Sequence, residues 1–161
     1  MKLIDRATLD ALSADAAASP RRRRNLNLHP ELADPIQRLC NAVEPGSYVR
    51  PHHHAPDRWE LFTVLRGAVR LLTFTEGGQV LSAALLGPGH DAAMVELPGG
   101  TWHSLVSLEP GTVFFEVKPG PYSAAGDKDF AIWAPGEGAP GAADLEAWMR
   151  HALPGTRWPG I

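Results

Sequence analysis

From Glu60 onward the chain runs in short apolar stretches rich in β-branched and aromatic residues, each closed by Gly or Pro. Glu60-Leu-Phe-Thr-Val-Leu-Arg66 is made of strong β-formers and stops at Gly67. Ala68–Thr75 and Gln79–Leu86 flank Gly77-Gly78, a two-residue hairpin signal. Ala92–Leu97, His103–Leu108 and Thr112–Lys118 read as three further strands, with turns supplied by Pro98-Gly99-Gly100 and Glu109-Pro110-Gly111. Earlier, Asn25-Leu26-Asn27-Leu28-His29 alternates strictly, which puts Asn25, Asn27 and His29 on one face of a strand. Ser47–Pro51 predicts one more short strand. About eight strands at this spacing fit a small all-β barrel or jelly roll.

The helical period appears only at the ends. Leu9, Leu12 and Ala16 predict a short helix over Thr8–Ala18, capped by Thr8 or Asp5 and ended by Ser19-Pro20. Leu145, Trp148, Met149 and Ala152 recur at i, i+3, i+4, i+7 and predict a final helix over 142–152. Glu31–Val43, broken by Pro30 and Pro35, reads as a short helix or an irregular loop. Beyond Pro119-Gly120-Pro121 the strands are expected to stop. The expected organisation is an N-terminal helix and basic segment over 1–24, one barrel over 25–121, and a C-terminal extension over 122–161.

Composition narrows this picture. The 161 residues include 16 Gly and 15 Pro, nearly one in five, against an ordinary share of roughly 12 %. Helix bundles and coiled coils are excluded by that density of breakers. A formal net charge of −3 gives no reason to expect a nucleic-acid partner. No apolar run reaches the roughly 20 residues of a membrane-spanning helix, so no membrane partner is expected. The single Cys40 and the absence of an apolar secretory stretch after Met1-Lys2-Leu3-Ile4-Asp5 lead us to expect a cytoplasmic protein.

The chemistry gathers around histidine. Three of the seven histidines are consecutive, and on an extended strand His52 and His54 face one way while His53 faces the other. Two imidazoles at that spacing grip a cation, Glu60 can add a carboxylate oxygen across a short loop, and His103 can close the set from a later strand. Three imidazoles and one carboxylate suit a divalent first-row metal ion such as Fe, Mn, Ni or Zn. By parity, Tyr48 and Arg50 share a face with His52 and His54, and Phe114, Glu116 and Lys118 share another. A buried Glu116 then needs a basic partner. Asn25, Asn27 and His29 either hydrogen-bond the fold's own backbone or line a polar pocket, and in the second case a nearby arginine suits a phosphate or carboxylate.

The spacing resembles the cupin superfamily. Its first motif runs glycine, five residues, His-x-His, three or four residues, glutamate, six residues, glycine. Gly46, His52-x-His54, Glu60 and Gly67 follow it, except that five residues separate His54 from Glu60. In its second motif Pro98, Gly100 and His103 match, while Ala92 replaces the leading glycine and Ser107 the trailing asparagine. A narrower resemblance, to the WbuC family of cupin fold metalloproteins, is carried by Arg24–His29, Asp34–Arg38, Pro51–His54, Arg58-Trp59-Glu60, Phe115–Tyr122 and Lys128–Glu137.

These resemblances imply a single cupin-type β-barrel with short terminal helices and a metal site of His52, His54, Glu60 and His103. The residues expected to touch a ligand are Asn25, Asn27, His29, Tyr48, Arg50, Lys118 and Tyr122. WbuC proteins often occur in surface-polysaccharide (O-antigen, lipopolysaccharide) gene clusters, which implies a small polar substrate such as a sugar or nucleotide-sugar. The leading expectation is a metal-dependent enzyme, an isomerase, epimerase or oxygenase. Its alternative is a non-catalytic small-ligand or carbohydrate binding module with a structural metal. A homodimer is expected because open barrels leave edge strands to cover.

Overall fold

Side chains alternate across a strand, so a chain of short strands can bury one face or both, depending on what covers it. The computed structural model describes residues 1–123 and 126–160 and shows ten strands and two helices among them. One sheet takes β1 (Arg23–Asn27), β2 (Ile36–Val43), β4 (Glu60–Arg66), β7 (Met94–Leu97) and β9 (Val113–Pro119) in the order β1-β2-β9-β4-β7. The other takes β3 (His52–His53), β5 (Val69–Phe74), β6 (Val80–Leu86), β8 (Trp102–Ser107) and β10 (Asp129–Phe130) in the order β10-β3-β8-β5-β6. All strand pairings are antiparallel. The expected all-β, jelly-roll type of fold is present as two facing antiparallel sheets, and no strand pairing among the described residues joins them into a closed barrel.

The sheets pack face to face through Phe62, Val64, Leu97 and Phe114 from one, and Val69, Leu71, Leu86 and Leu105 from the other. Burial of each such side chain stabilises the fold by roughly 1.5–3 kcal/mol. Both outer faces are also partly covered. Helix α1 (Arg6–Ala18), capped by the Asp5 carboxylate on Thr8 N–H, lays Leu12 and Ala16 on Cys40, Ala42 and Val113. Helix α2 (Ala142–Met149) lays Leu145 and Met149 on Leu72, Phe74, Val80 and Val106.

The structure departs from the sequence reading in three segments. Ile36–Val43 is the long strand β2, because Pro30 and Pro35 bound the segment instead of interrupting it. Its side chains alternate, Cys40 and Ala42 toward α1 and Gln37 and Asn41 toward the sandwich interior, so both faces are partly covered and no single apolar face marks the strand. Ser47–Pro51 is irregular, and the strand begins only at His52. The chain after Pro121 returns to the sheet, where β10 pairs with β3 through Phe130 opposite His52. No helix is long and apolar enough to cross a membrane among the described residues.

Because Leu145 is fully buried under sheet two, α2 is part of the core. Leu145→Ala is expected to cost about 2–5 kcal/mol in chemical denaturation, whereas a loosely docked terminal helix would give a change below about 1 kcal/mol.

Candidate metal centre

The inner face of the sandwich is apolar at one end and polar at the other. Along β9, Phe114 belongs to the apolar end, while Glu116 and Lys118, two and four residues on, face the same way into the polar end. On β4, Phe62 and Glu60 divide likewise. His52 on β3 lies directly opposite His103 on β8. His54 follows β3 and is positioned by the Pro98-Gly99-Gly100 turn, whose Gly100 N–H donates to the His54 carbonyl at 2.9 Å. A Cβ on Gly99 would meet the carbonyl oxygens of Ala55 and Pro56 at 2.4 Å, so only glycine lets the two loops approach this closely.

Four buried side chains converge here: His52, His54, Glu60 and His103 each present a ligand atom, all within 4.8 Å of one another. Every imidazole is oriented by a carbonyl. His52 Nδ1 donates to Arg50 at 2.8 Å, His103 Nδ1 donates to Thr101 at 2.8 Å, and His54 Nδ1 donates to Asp127. Carbonyls only accept, so each Nδ1 carries the hydrogen, and in a neutral ring the lone pair is then on the Nε2 that points inward. Burial, then the His103 ring and Lys128, hold the His52 imidazole well below its ordinary range, so it stays neutral.

Glu60 sits against these rings. Its carboxylate oxygens lie 2.9 Å from His54 Nε2 and 3.0 Å from His103 Nε2. Burial alone pushes the Glu60 carboxyl up, but the His103 and His54 rings, with Lys118, outweigh it and hold it well below the usual carboxylate range. Such a lowering requires a positive group or a donor hydrogen facing the carboxylate, which rings already donating from Nδ1 supply at Nε2 only when protonated, and both His54 Nε2 and Glu60 Oε2 are buried without a hydrogen-bond partner. Such atoms are costly to bury unless a cation lies between them. Separations near 3 Å also match neighbouring ligands around a six-coordinate first-row ion with bonds of about 2.1 Å. The donor set fits a divalent cation.

Lys118 ties this cluster to the rest of the interior. Its Nζ lies 3.2 Å from Glu116, 3.3 Å from Asp127 and 3.4 Å from Glu60. Burial pulls the Lys118 ammonium down, but the three carboxylates outweigh it and push it above its ordinary value. Burial and the Glu60 charge push the Glu116 carboxyl up, while Asn41 Nδ2 donates to it at 2.8 Å.

A cavity of about 240 Å³ over His52, Glu60 and His103 adjoins a wider cleft of about 690 Å³. Six of the seven expected ligand contacts line that cleft: Asn25, Asn27, His29, Arg50, Lys118 and Tyr122. Tyr48 is a correction, because it is buried in the core under α2 with its hydroxyl donating to the Pro135 carbonyl at 2.8 Å. Residues 48–51 form no strand, so the parity that grouped Tyr48 with His52 does not hold. Asn25 Nδ2 donates to Asn27 Oδ1 at 2.6 Å. His29 Nδ1 accepts the Arg38 N–H at 3.0 Å, which leaves its buried Nε2 without a partner. Two of the four consecutive arginines, Arg21 and Arg23, clamp the Glu137 carboxylate at 2.7 and 2.8 Å.

Sequence reading missed Asp127 and Asn41. Asp127 joins the site through its carbonyl and its carboxylate at once, from a turn-rich segment with no periodicity to mark it. Asn41 lies in the segment whose strand was not recognised. The need of Glu116 for a basic partner was a usable signal, and Lys118, two residues away on the same face, answers it.

This sandwich, with its three-histidine, one-carboxylate cluster on the inner face, has the cupin-type fold. Residues 4–86 match the family model DUF6016, a domain of unknown function, and the chain belongs to that family. Among solved structures it is similar to oxalate oxidase in complex with the substrate analogue glycolate, at 14% identity, covering 71% of this chain and 57% of that one, with a TM-score of 0.53. It is also similar to a variant oxalate decarboxylase from Bacillus subtilis, at 22% identity, covering 68% of this chain and 28% of that one, with a TM-score of 0.50. A third likeness is to KdgF from Halomonas sp., at 21% identity, covering 64% of this chain and 82% of that one, with a TM-score of 0.49. The chain thus spans little more than half of the oxidase and under a third of the decarboxylase. No curated protein sequence matches it.

Lys118→Met leaves three buried carboxylates without their shared cation and is expected to destabilise the fold by about 3–5 kcal/mol. The double variant Lys118→Met/Glu116→Gln should recover part of that loss in chemical denaturation, and additive losses would contradict a shared network. The hydrogen bonds from Arg21, then the charge of Arg23, hold the Glu137 carboxyl below its ordinary 4.5, so its contribution is present above that pH and lost as pH falls. Glu137→Gln should therefore lower stability by less than about 1 kcal/mol at neutral pH, with the difference vanishing toward about pH 3.

Proposed function

We propose that this protein is a metal-binding cupin in which His52, His54, His103 and Glu60 hold a divalent first-row cation, and that the adjoining cleft takes a small polar molecule. The observation that carries this reading is the convergence of three carbonyl-pinned imidazoles on one ionised carboxylate, with two of the facing atoms lacking any partner. The charge balance agrees. Glu60, Glu116 and Asp127 are buried around a single buried ammonium, that of Lys118, and a cation offsets the excess. Oxalate decarboxylase, which shares the fold, is described with Mn(II) centres.

The site opens toward the cleft on the His52 side, where an added ligand can approach, unlike a structural site closed by protein on all sides. A cation there supplies Lewis acidity to a bound carbonyl or hydroxyl oxygen. The chain's own groups orient the molecule and handle its protons. Glu116 lines both lobes of the cleft and, with its carboxyl pushed up, is the group fitted to take and return a proton. Lys118 holds Glu116 and Glu60 in place. The likeness to WbuC proteins points to a sugar or nucleotide-sugar as the molecule concerned, and the hydrogen-bonding residues Asn25 and Asn27 on β1, with His29 just beyond it, are compatible with it.

Purified protein should carry about one equivalent of a first-row metal by elemental analysis. Removal by chelator should lower the melting temperature by roughly 4 °C or more. His52→Ala/His103→Ala should abolish occupancy, and full occupancy in that variant would overturn the assignment.

A further inference from the structure

Nearly every half-buried cation facing the cleft already has a carboxylate. Arg23 shares Glu137 with the more exposed Arg21, Lys118 has three partners, and Lys128 lies 3.6 Å from Asp127. Arg50 is different. It is half-buried and lines the wide cleft two residues before His52, yet no carboxylate of the described residues lies within ion-pair distance of it. Its guanidinium is held in one orientation, with Nη2 donating to the Ala131 carbonyl at 2.8 Å and the plane 5.1 Å from the centre of the Phe130 ring. Its Nε is buried and has no acceptor at all. A guanidinium partly withdrawn from water, fixed in place and left without a counter-charge favours a negative group that completes it. Lys128, from the segment before β10, lines both this cleft and the smaller cavity over His52. Two cations thus flank the open side of the histidine cluster.

We infer that the molecule taken by this cleft carries an anionic group, a carboxylate or phosphate, and that Arg50 anchors it, with Lys128 as the second cation, beside His52. Guanidinium is suited to this, since its N–H groups lie in the plane that a carboxylate or phosphate edge can share. The inference rests on the proposed function only in taking the cleft as the ligand-binding face of the histidine cluster. It does not depend on the metal. The anchor belongs to the segment leading into β3 and the returning tail together, because Ala131 and Phe130 fix the guanidinium that this segment presents. Arg21 and Arg23 are not part of it, because both hydrogen-bond the Glu137 carboxylate at 2.7 and 2.8 Å, whereas Lys128 lies 3.6 Å from its one carboxylate, beyond hydrogen-bond distance.

The test is calorimetric titration of the full chain with malonate and, separately, inorganic phosphate at constant ionic strength, metal-loaded and after chelator treatment. Saturable binding of one or both is expected, and which of them binds identifies the group. Arg50→Met should weaken it by about tenfold or more, Lys128→Gln by about threefold, and Arg50→Met should leave the metal content unchanged. Absence of binding by both anions in both preparations, or binding unaltered in Arg50→Met, would overturn the inference. If Arg50→Met does not fold, Lys128→Gln decides, and unaltered binding there overturns it. A protein that carries no metal but still binds the anion through Arg50 would defeat the metal reading and leave this one standing. A metal-loaded protein that binds neither anion would do the reverse.

Discussion

Three backbone carbonyls set the chemistry of this interior. Each takes the Nδ1 hydrogen of one histidine, which fixes the tautomer and turns the remaining lone pair toward Glu60. Without those acceptors an imidazole can donate from either nitrogen, and rings facing an ionised carboxylate would satisfy it with their own hydrogens. With them, the close Nε2–carboxylate contacts become a ready-made set of donor atoms. The carbonyls come from Arg50, Thr101 and Asp127, three separate stretches of chain. The geometry is therefore a property of the whole sandwich, not of the His-x-His segment alone.

The second constraint is how a β-sandwich tolerates so much charge inside. Its inner face is divided lengthwise, with Phe62 and Phe114 packed edge to face at one end and Glu60, Glu116 and Lys118 at the other. The apolar end supplies burial free energy. At the polar end a single ammonium answers three carboxylates, and its position on β9 is set by the same alternation that points Phe114 into the core. Moving Lys118 by one residue would turn it outward, toward the face covered by α1, and leave Glu60 and Glu116 uncompensated.

Much of this was legible where local chemistry and periodicity agree. The parity of His52 and His54, the Gly77-Gly78 hairpin, the strand over Glu60–Arg66 and the turn ahead of His103 all follow from the sequence and recur in the structure. Other features depend on what lies across the gap. β2 hides because α1 covers one face with small residues while the cleft hydrates the other, so neither face reads as a core. Tyr48 misleads because parity was extended through Ser47–Pro51, a segment whose backbone is held by tertiary contacts such as Arg23 Nη1 on the Tyr48 carbonyl. Asp127 could not be found at all, since its carbonyl does the orienting and a carbonyl is common to every residue.

The hydrogen bond from His54 to Asp127 spans 73 residues of chain, and the Phe130–His52 pairing somewhat more. Such contacts form late, because a long loop must close before they return any free energy. During synthesis His54 therefore emerges well before Asp127, whose carbonyl orients its ring. The donor set takes its final orientation only when the returning tail docks along β3. Folding order thus protects the interior: His52, His54 and His103 are held as an organised set of ligands only in a chain whose sandwich has already closed.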